Sequence, residues 1–137
     1  MITLTNKIIV PAIDIDSYDH VNFSNYLRYY QTGHQTLFRE CLGLSYRTLE
    51  DTYKIRAVIR HAEINFIREL FAGDEITINT IVSRLGNSSM TKKQSIDRGE
   101  TRMSEAEFVT VFTDLNKKPI RIPDWIRARI NNFFKIE

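Results

Sequence analysis

The N-terminal part of the chain combines a short apolar run with a longer helical pattern. Residues 3–10 are rich in β-branched side chains and predict a strand, which ends near Pro11 because proline cannot donate a ladder hydrogen bond. From about Ser24 to Leu42, apolar residues recur every three or four positions, which predicts a long helix. The predicted apolar stripe consists of Leu27, Tyr30, His34, Leu37 and Cys41, flanked by Tyr26, Gly33 and Phe38.

The ends and the interior of this helix carry residues with particular backbone preferences. Asn22 and Ser24 both suit the N-cap, and Gly43 suits the C-terminal cap because glycine readily adopts a left-handed backbone. Gly33 lies inside the pattern, where a glycine costs about 1 kcal/mol of helix propensity. The close approach of another backbone, such as a sheet curling over the helix, would explain this glycine. A slack surface helix is the alternative.

The second half of the chain alternates apolar and polar positions, which is typical of strands. The predicted strands comprise residues 55–68 (as one strand or two), 75–85, 89–97 and 103–115, with turns at residues 73–74, 86–88 and 98–101. A short helix fits residues 44–54. The stretch from Pro123 to Phe134 predicts a terminal helix, because proline and aspartate suit a first helical turn.

This element order predicts a single α+β domain over residues 1–137. One long helix and one long antiparallel sheet can bury each other only if the sheet curves around the helix. We therefore expect a long central helix wrapped by a curved antiparallel sheet, plus the C-terminal helix. The outer face of such a sheet would still carry the apolar residues Ile81, Val109 and Val111, which predicts self-association.

Charge excludes nucleic acid as the leading class of partner. The chain has 19 basic and 17 acidic side chains, which gives a formal net charge of +2, and the basic residues are spread along the sequence. The only cysteine, Cys41, excludes an internal disulfide and is predicted to be a small buried residue. The N-terminal segment lacks the order of a signal peptide, and no apolar run approaches the length of a membrane span. These features predict a cytoplasmic protein without a membrane span.

A cluster of titratable side chains lies between the first strand and the long helix. It contains Asp14, Asp16, Asp19 and His20. A carboxylate beside a helix start can activate a water or attack an ester-like carbonyl itself, while the N–H groups of the helix start polarise the carbonyl oxygen. The spacing alone also allows an aspartate that caps the helix, or a site for a hard cation. The chain has no nucleophile elbow, P-loop, dinucleotide fingerprint or zinc spacing.

Two segments carry a resemblance to a known family. The run from Asp16 through His20-Val-Asn22, followed by Tyr26, resembles the Asp-x-x-x-His-Val-Asn signature of hotdog-fold acyl thioesterases. It is most similar to the 4-hydroxybenzoyl-CoA thioesterase family, in its long-chain acyl-CoA branch. The segment from residue 63 to residue 76 resembles the second block of that family. Two positions depart from the pattern, since Asp19 replaces a glycine and Phe23 replaces an asparagine.

The resemblance implies a fold, an assembly and a set of site residues. The fold is the hotdog, in which the curved sheet wraps the long helix. Family members pair into dimers with active sites at the seam, and many form homotetramers. The implied catalytic residues are Asp16, as general base or nucleophile, with His20 and Glu69. The predicted substrate-binding residues are Tyr18, Asn22, Tyr26 and Asn65.

The implied activity is hydrolysis of an acyl-CoA thioester to free acid and CoA, in fatty acid metabolism, with neither cofactor nor metal. One alternative is an acyl-carrier-protein thioesterase that releases a fatty or polyketide acid. The run Asn25-Tyr-Leu-Arg28 also resembles polyketide-releasing thioesterases of enediyne pathways, which typically lack the acid that Asp16 supplies. Another alternative is an acyl-CoA binding module without turnover.

The resemblance also places the two ends of the substrate. The acyl chain is expected to run along the helix, against residues such as Tyr26, Tyr30 and Phe66. The phosphates of CoA would meet basic side chains at the surface. The candidates for this contact are Arg84, Lys92, Lys93 and Arg98.

Overall fold

Five antiparallel strands form one curved sheet in the computed structural model. The strands are β1 (Leu4–Ile9), β2 (Arg56–Phe66), β3 (Glu75–Leu85), β4 (Ser89–Arg98) and β5 (Thr101–Thr113). Their order across the sheet is β1-β3-β4-β5-β2, so β1 and β2 are the edge strands. The structure describes residues 2–136, so Met1 and Glu137, the ends of the predicted domain, lie outside the described residues.

The long helix lies on the inner face of this sheet, as the resemblance implies. Helix α1 (Ser24–Leu37) continues into a π-helical turn (Phe38–Leu42) that ends at Gly43 with a left-handed φ of 69°. Two shorter helices follow, α2 (Tyr46–Tyr53) and α3 (Asp124–Phe134). None of the helices within residues 2–136 combines the length and the apolar character that crossing a membrane requires.

The buried side of α1 differs from the prediction at one position. Tyr26, Tyr29 and Tyr30 are each at most 3% exposed, whereas Leu27 is 51% exposed. The prediction for Leu27 is wrong because the sheet and the loop before the helix cover the side that carries Tyr26 and Tyr29. Leu27 therefore adds to the apolar surface of the protein.

Gly33 is required by the close packing of the sheet against α1. A Cβ atom at this position would lie 2.5 Å from Gln94 Nε2 and closer still to Thr80 Oγ1. Gln94 Nε2 also donates a hydrogen bond to the carbonyl oxygen of Tyr30 (3.1 Å). The predicted close approach is confirmed, although two side chains of the sheet, rather than its backbone, make the contact.

A layer of polar side chains divides the core into two apolar clusters. One cluster contains Leu37, Val82, Met90 and Phe112, and the other contains Tyr30, Ile78, Ile96 and Phe108. The layer between them consists of His34 on α1 and Thr80, Lys92, Gln94 and Thr110 on the sheet, all buried. Several polar atoms of this layer, including Lys92 Nζ and His34 Nδ1, have no hydrogen-bond partner among residues 2–136.

Lys92 is the unexpected member of this layer. It is 0% exposed, so the prediction that it meets a phosphate of CoA at the surface is wrong. The reason is the alternation of β4, which turns Met90, Lys92, Gln94 and Ile96 to the buried face and Lys93 to the outer face. Burial without a partner lowers the pKa of Lys92 to about 7.

The edge strand β2 carries part of the exposed apolar surface of the protein. Ile81, Val109 and Val111 are half-buried, contrary to the expectation that they are left exposed. Val58, Ile59 and Phe66 on β2 are 36%, 39% and 49% exposed. Strand β2 pairs only with β5 among the described residues, so one edge of its backbone is open. An open edge with apolar side chains favours pairing with another strand.

Candidate active site

The acidic stretch before α1 folds as a small hairpin. Ile15 bridges Val21, the N–H of Asp16 donates to the carbonyl of His20 (3.0 Å), and the N–H of Asp19 donates to the carbonyl of Asp16 (3.1 Å). The N–H of Val21 donates to the carbonyl of Leu70 (2.8 Å). This bond ties the hairpin to the segment that follows β2, so the two blocks of the sequence resemblance lie side by side.

Asp19 occupies the left-handed position of the hairpin turn, with a φ of 65°. Glycine adopts this backbone without steric cost, and aspartate is among the few other residues that tolerate it. The departure from the family glycine therefore preserves the turn. The Asp19 side chain is exposed and does not line the cleft described below.

Asp14 is buried at the base of the hairpin, only 5% exposed. Its carboxylate accepts a hydrogen bond from the Tyr29 hydroxyl (2.6 Å) and pairs with the Arg28 guanidinium. Burial alone would raise the pKa of Asp14, but the hydrogen bonds from Arg28 and Tyr29 and the charge of Arg28 outweigh it and hold that pKa below its usual value. The carboxylate of Asp14 is thus fully engaged with α1.

Asp16 faces a cleft of about 680 Å³ between the hairpin, the start of α1 and the segment after β2. Tyr18 N–H donates to Asp16 Oδ1 (2.9 Å), and Asn22 Nδ2 lies 3.5 Å from Asp16 Oδ2. The side chain is half-buried, so it can reach both water and a bound molecule. The cleft is lined by Asp16, Tyr18, His20, Val21, Asn22, Phe23, Tyr26, Phe66, Ile67, Arg68 and Glu69.

The start of α1 has one backbone N–H group without an acceptor among residues 2–136. Asn22 Oδ1 accepts from the N–H of Ser24 (3.0 Å), but the N-cap position of α1 is Phe23, which lies between the two predicted caps Asn22 and Ser24. The N–H groups of Asn25 and Tyr26 donate to the carbonyls of Asn22 and Phe23. The N–H of Phe23 has no acceptor among residues 2–136, and Phe23 lines the cleft.

His20 and Glu69 meet at the rim of the cleft. His20 Nδ1 lies 3.2 Å from the carbonyl of Val21, and His20 Nε2 lies 3.8 Å from Glu69 Oε1. The ring of Tyr18 stacks on the imidazole with centroids 6.1 Å apart. If Nδ1 carries the proton and donates to Val21, Nε2 is left to accept or exchange a proton on the cleft side. The three predicted catalytic residues therefore line one cleft.

Aromatic side chains form the apolar wall of the cleft. Phe66 packs edge-on against Tyr26 (centroids 4.9 Å apart) and Phe23 (6.3 Å). Four lining residues were not predicted from the sequence, namely Val21, Phe23, Ile67 and Arg68. Ile67 and Arg68 follow directly after the end of β2, so they give no periodic signal, and both donate through their backbone N–H groups to the carbonyl of Met103.

Asn65 is the one predicted substrate-binding residue that does not line this cleft. It lies opposite Glu105 on β5, exposed on the outer face of the sheet, while its neighbour Phe66 turns to the cleft. Successive residues of a strand point to opposite faces, so Asn65 and Phe66 cannot both line one side. The carbonyl of Asn65 accepts a hydrogen bond from Ser104 Oγ (2.9 Å), a contact that fixes the end of β2.

Two other groups with reactive potential lie outside the cleft. His61, Glu63 and Glu107 have ligand atoms within 4.8 Å of one another on the outer face of the sheet, where a cation could be held. Lys93 stands opposite Glu107 and supplies a counter-charge there. Cys41 is buried, as predicted, and burial raises its pKa to about 12, which keeps the thiol protonated and unreactive.

The sequence was compared with models of known protein families. The model of the thioesterase-like superfamily matches residues 10–130. This range contains the hairpin, α1, strands β2 to β5 and the cleft, while β1 lies outside it.

Solved structures with the same fold include proteins described as thioesterases. A probable thioesterase from Bartonella henselae is 26% identical with a TM-score of 0.83, and the alignment covers 89% of this chain and 100% of that one. A 1,4-dihydroxy-2-naphthoyl-CoA thioesterase from Synechocystis is 19% identical with a TM-score of 0.85, covering 93% and 95%. A hypothetical protein from Staphylococcus aureus in complex with CoA is 16% identical with a TM-score of 0.89, covering 98% and 85%.

Proposed function

This chain belongs to the thioesterase-like superfamily, and we propose that it hydrolyses an acyl-CoA thioester to the free acid and CoA. Thioester hydrolysis in general is supported by the family and by the likeness to proteins described as thioesterases. The observation that carries the proposal is the half-buried carboxylate of Asp16, which faces an aromatic-walled cleft beside the free N–H of Phe23. On the resemblance of the run from Asp16 to Asn22, we also propose that the chain is a member of the 4-hydroxybenzoyl-CoA thioesterase family, in its long-chain acyl-CoA branch.

In the proposed reaction, Asp16 acts as the general base. The carboxylate takes a proton from a water molecule whose oxygen forms a bond to the thioester carbonyl carbon. The tetrahedral intermediate then collapses, the carbon–sulfur bond breaks, and the CoA thiolate leaves and takes up a proton. Direct attack by Asp16 would instead form an acyl anhydride, which a water molecule then cleaves.

The start of α1 stabilises the negative charge of the intermediate. The Phe23 N–H is the free donor there, and it lies at the positive end of the α1 dipole. Asn22 orients this segment by accepting from the N–H of Ser24, and its amide group faces Asp16. The replacement of the family asparagine by Phe23 leaves the backbone donor in place and adds an aromatic ring to the cleft wall.

The remaining lining residues bind the two ends of the substrate. His20, paired with Glu69 and covered by Tyr18, lies where it can exchange a proton with the leaving sulfur or orient the attacking water. Tyr26 and Phe66 form the apolar wall for the start of the acyl chain. A similar structure in complex with CoA supports CoA as the carrier. Arg84 and Lys93 are exposed and remain proposed phosphate contacts.

A thiol-release assay tests the activity. We expect the purified protein to release free thiol from at least one member of a panel of short-chain, long-chain and aromatic acyl-CoAs, because the cleft combines a base, an oxyanion donor and an apolar wall. The same panel loaded on acyl carrier protein measures the carrier preference. Binding of acyl-CoA without thiol release would contradict the proposed function and favour a binding module.

We also propose that the protein forms a homodimer or homotetramer through the edge strand β2. Its open edge and exposed apolar side chains, including Ile59 at 39%, are the features that support this assembly. We expect light scattering to give at least a dimeric mass, and Ile59→Asp to shift it toward the monomer. Ile9→Asp is the matched control, because Ile9 is 63% exposed on the opposite edge strand. A monomeric wild-type protein would contradict this assembly.

A further inference from the structure

Asp14 joins the hairpin to α1 through both its side chain and its backbone. Its carboxylate accepts from the Tyr29 hydroxyl and pairs with Arg28, more than one helical turn from the start of α1. Its carbonyl accepts from the N–H of Asn22 (3.2 Å) and from Asn25 Nδ2 (3.1 Å). Four groups from the second arm of the hairpin and the first turns of α1 thus converge on one residue.

The contacts of Asp14 determine where the hairpin that carries the Asp16 carboxylate lies on α1. Asp16 follows Asp14 by two residues, at the point where the hairpin turn begins. Within the hairpin, Asp16 is held by its N–H bond to the carbonyl of His20 and by the N–H of Tyr18 on its carboxylate. The hairpin as a unit is joined to α1 by the contacts of Asp14 at its base, and these contacts set where Asp16 lies relative to the start of α1.

We infer that Asp14 is a positioning residue, which holds the hairpin on α1 so that the Asp16 carboxylate and the Phe23 N–H face the same point in the cleft. This role rests on the proposed thioester hydrolysis. Asp14 does not line the cleft and touches no reacting atom. It acts by keeping the Asp16 carboxylate aligned with the Phe23 N–H. A displacement of about 1 Å of such a group costs up to about 100-fold in rate.

The inference is tested with Asp14→Asn and Tyr29→Phe, assayed on the best acyl-CoA of the panel. We expect Asp14→Asn to lower kcat about 10- to 100-fold with little change in KM, because alignment is lost and the substrate wall is intact. Tyr29→Phe removes a single hydrogen bond and should give a smaller fall of the same kind. It also carries the test alone if Asp14→Asn does not fold.

Asp97→Asn is the matched control. Asp97 pairs with Arg102 and accepts from Asn79 on the outer face of the sheet, away from the cleft. This variant loses a carboxylate–guanidinium pair as Asp14→Asn does, but kcat should stay at the wild-type value. A comparable fall in kcat for both variants would show that general destabilisation is the cause and would overturn the positioning role.

A double variant separates positioning from stability. If Asp14 acts through Asp16, Asp14→Asn should cause no further fall in kcat in a protein that already carries Asp16→Asn. Independent, additive losses would overturn the inference, as would unchanged kcat in the Asp14→Asn and Tyr29→Phe single variants. A wild-type protein without thiol release refutes the proposed function itself, and the positioning role with it.

Discussion

Asp16→Asn is expected to lower kcat for thioester hydrolysis by about 100- to 10,000-fold, the usual contribution of a positioned general base. The amide cannot take the proton of the attacking water. Its oxygen can still accept from the N–H of Tyr18, so the hairpin should keep its shape. The measurement is free-thiol release under saturating substrate, with the melting temperature as a check of folding.

Asp19→Asn provides the matched control for this change. Asp19 lies on the same hairpin, loses the same charge, and occupies a left-handed backbone position that asparagine also tolerates. Its side chain is exposed and outside the cleft, so hydrolysis should remain within about twofold of wild type. If Asp16→Asn retained the activity of Asp19→Asn, the assignment of the base would be wrong.

The contrast among the three acids shows what the sequence could reveal about the site. Asp14, Asp16 and Asp19 are equivalent as a local pattern, and the family signature alone singles out Asp16. The structure supplies the physical difference. Asp14 is engaged by Tyr29, which is 15 residues away, and such a contact between loop and helix has no signature in the spacing of a single chain.

The elements themselves were predictable because their local signals agree with their packing. Residues 75–85 alternate strictly, and the observed β3 has the predicted bounds. The helix pattern from Ser24 to Leu42 also holds, although its last turn is π-helical. Asn65 shows the limit of prediction from family resemblance. The resemblance predicted that Asn65 contacts the substrate, but the alternation of β2 turns it to the opposite face from Phe66.

The alternation of β4 marks position 92 as inward-facing, but the prediction followed the usual exposure of lysine instead. The neighbours of Lys92 at alternate positions, Met90 and Ile96, are apolar and buried, which marks position 92 as inward-facing. Lysine is almost never fully buried without a partner, so the pair Lys92-Lys93 reads as a surface doublet. The strand period decides the direction of a side chain, and the cost of burial is then met by loss of the proton.

Lys92→Met is expected to stabilise the protein at pH 7. Burial lowers the pKa of Lys92 from 10.5 to about 7, which corresponds to a cost on the order of 4 kcal/mol in the free energy of unfolding at neutral pH. Methionine has a similar length and buries no charge, so it should recover most of that free energy. A rise in melting temperature of about 10 °C would follow for a domain of this size.

The pH dependence of unfolding has a defined sign for this residue. Between pH 7 and pH 10.5 the unfolded chain holds the proton of Lys92 and the folded chain progressively does not, so stability should rise with pH across this window. His34 acts in a separate window, because burial, with a smaller contribution from the charge of Lys92, lowers its pKa to about 3. Stability is therefore lost through His34 as the pH falls from about 6.5 toward 3.

Urea unfolding of the wild-type protein, Lys92→Met and Lys93→Met at several pH values from 7 to about 8.5 isolates the contribution of Lys92. Lys93 is the neighbouring lysine on the outer face and is exposed, so Lys93→Met should change stability by no more than about 0.5 kcal/mol. Between pH 7 and about 8.5, Lys92→Met should also remove most of the slope with pH, because Cys41 and the buried tyrosines, whose pKa burial raises, lose their protons in the unfolded chain only at higher pH. Equal slopes in the two variants would mean that Lys92 keeps its proton in the folded protein. The polar layer of the core would then have to hold a charge that its other members, His34, Thr110 and Gln94, are not arranged to neutralise.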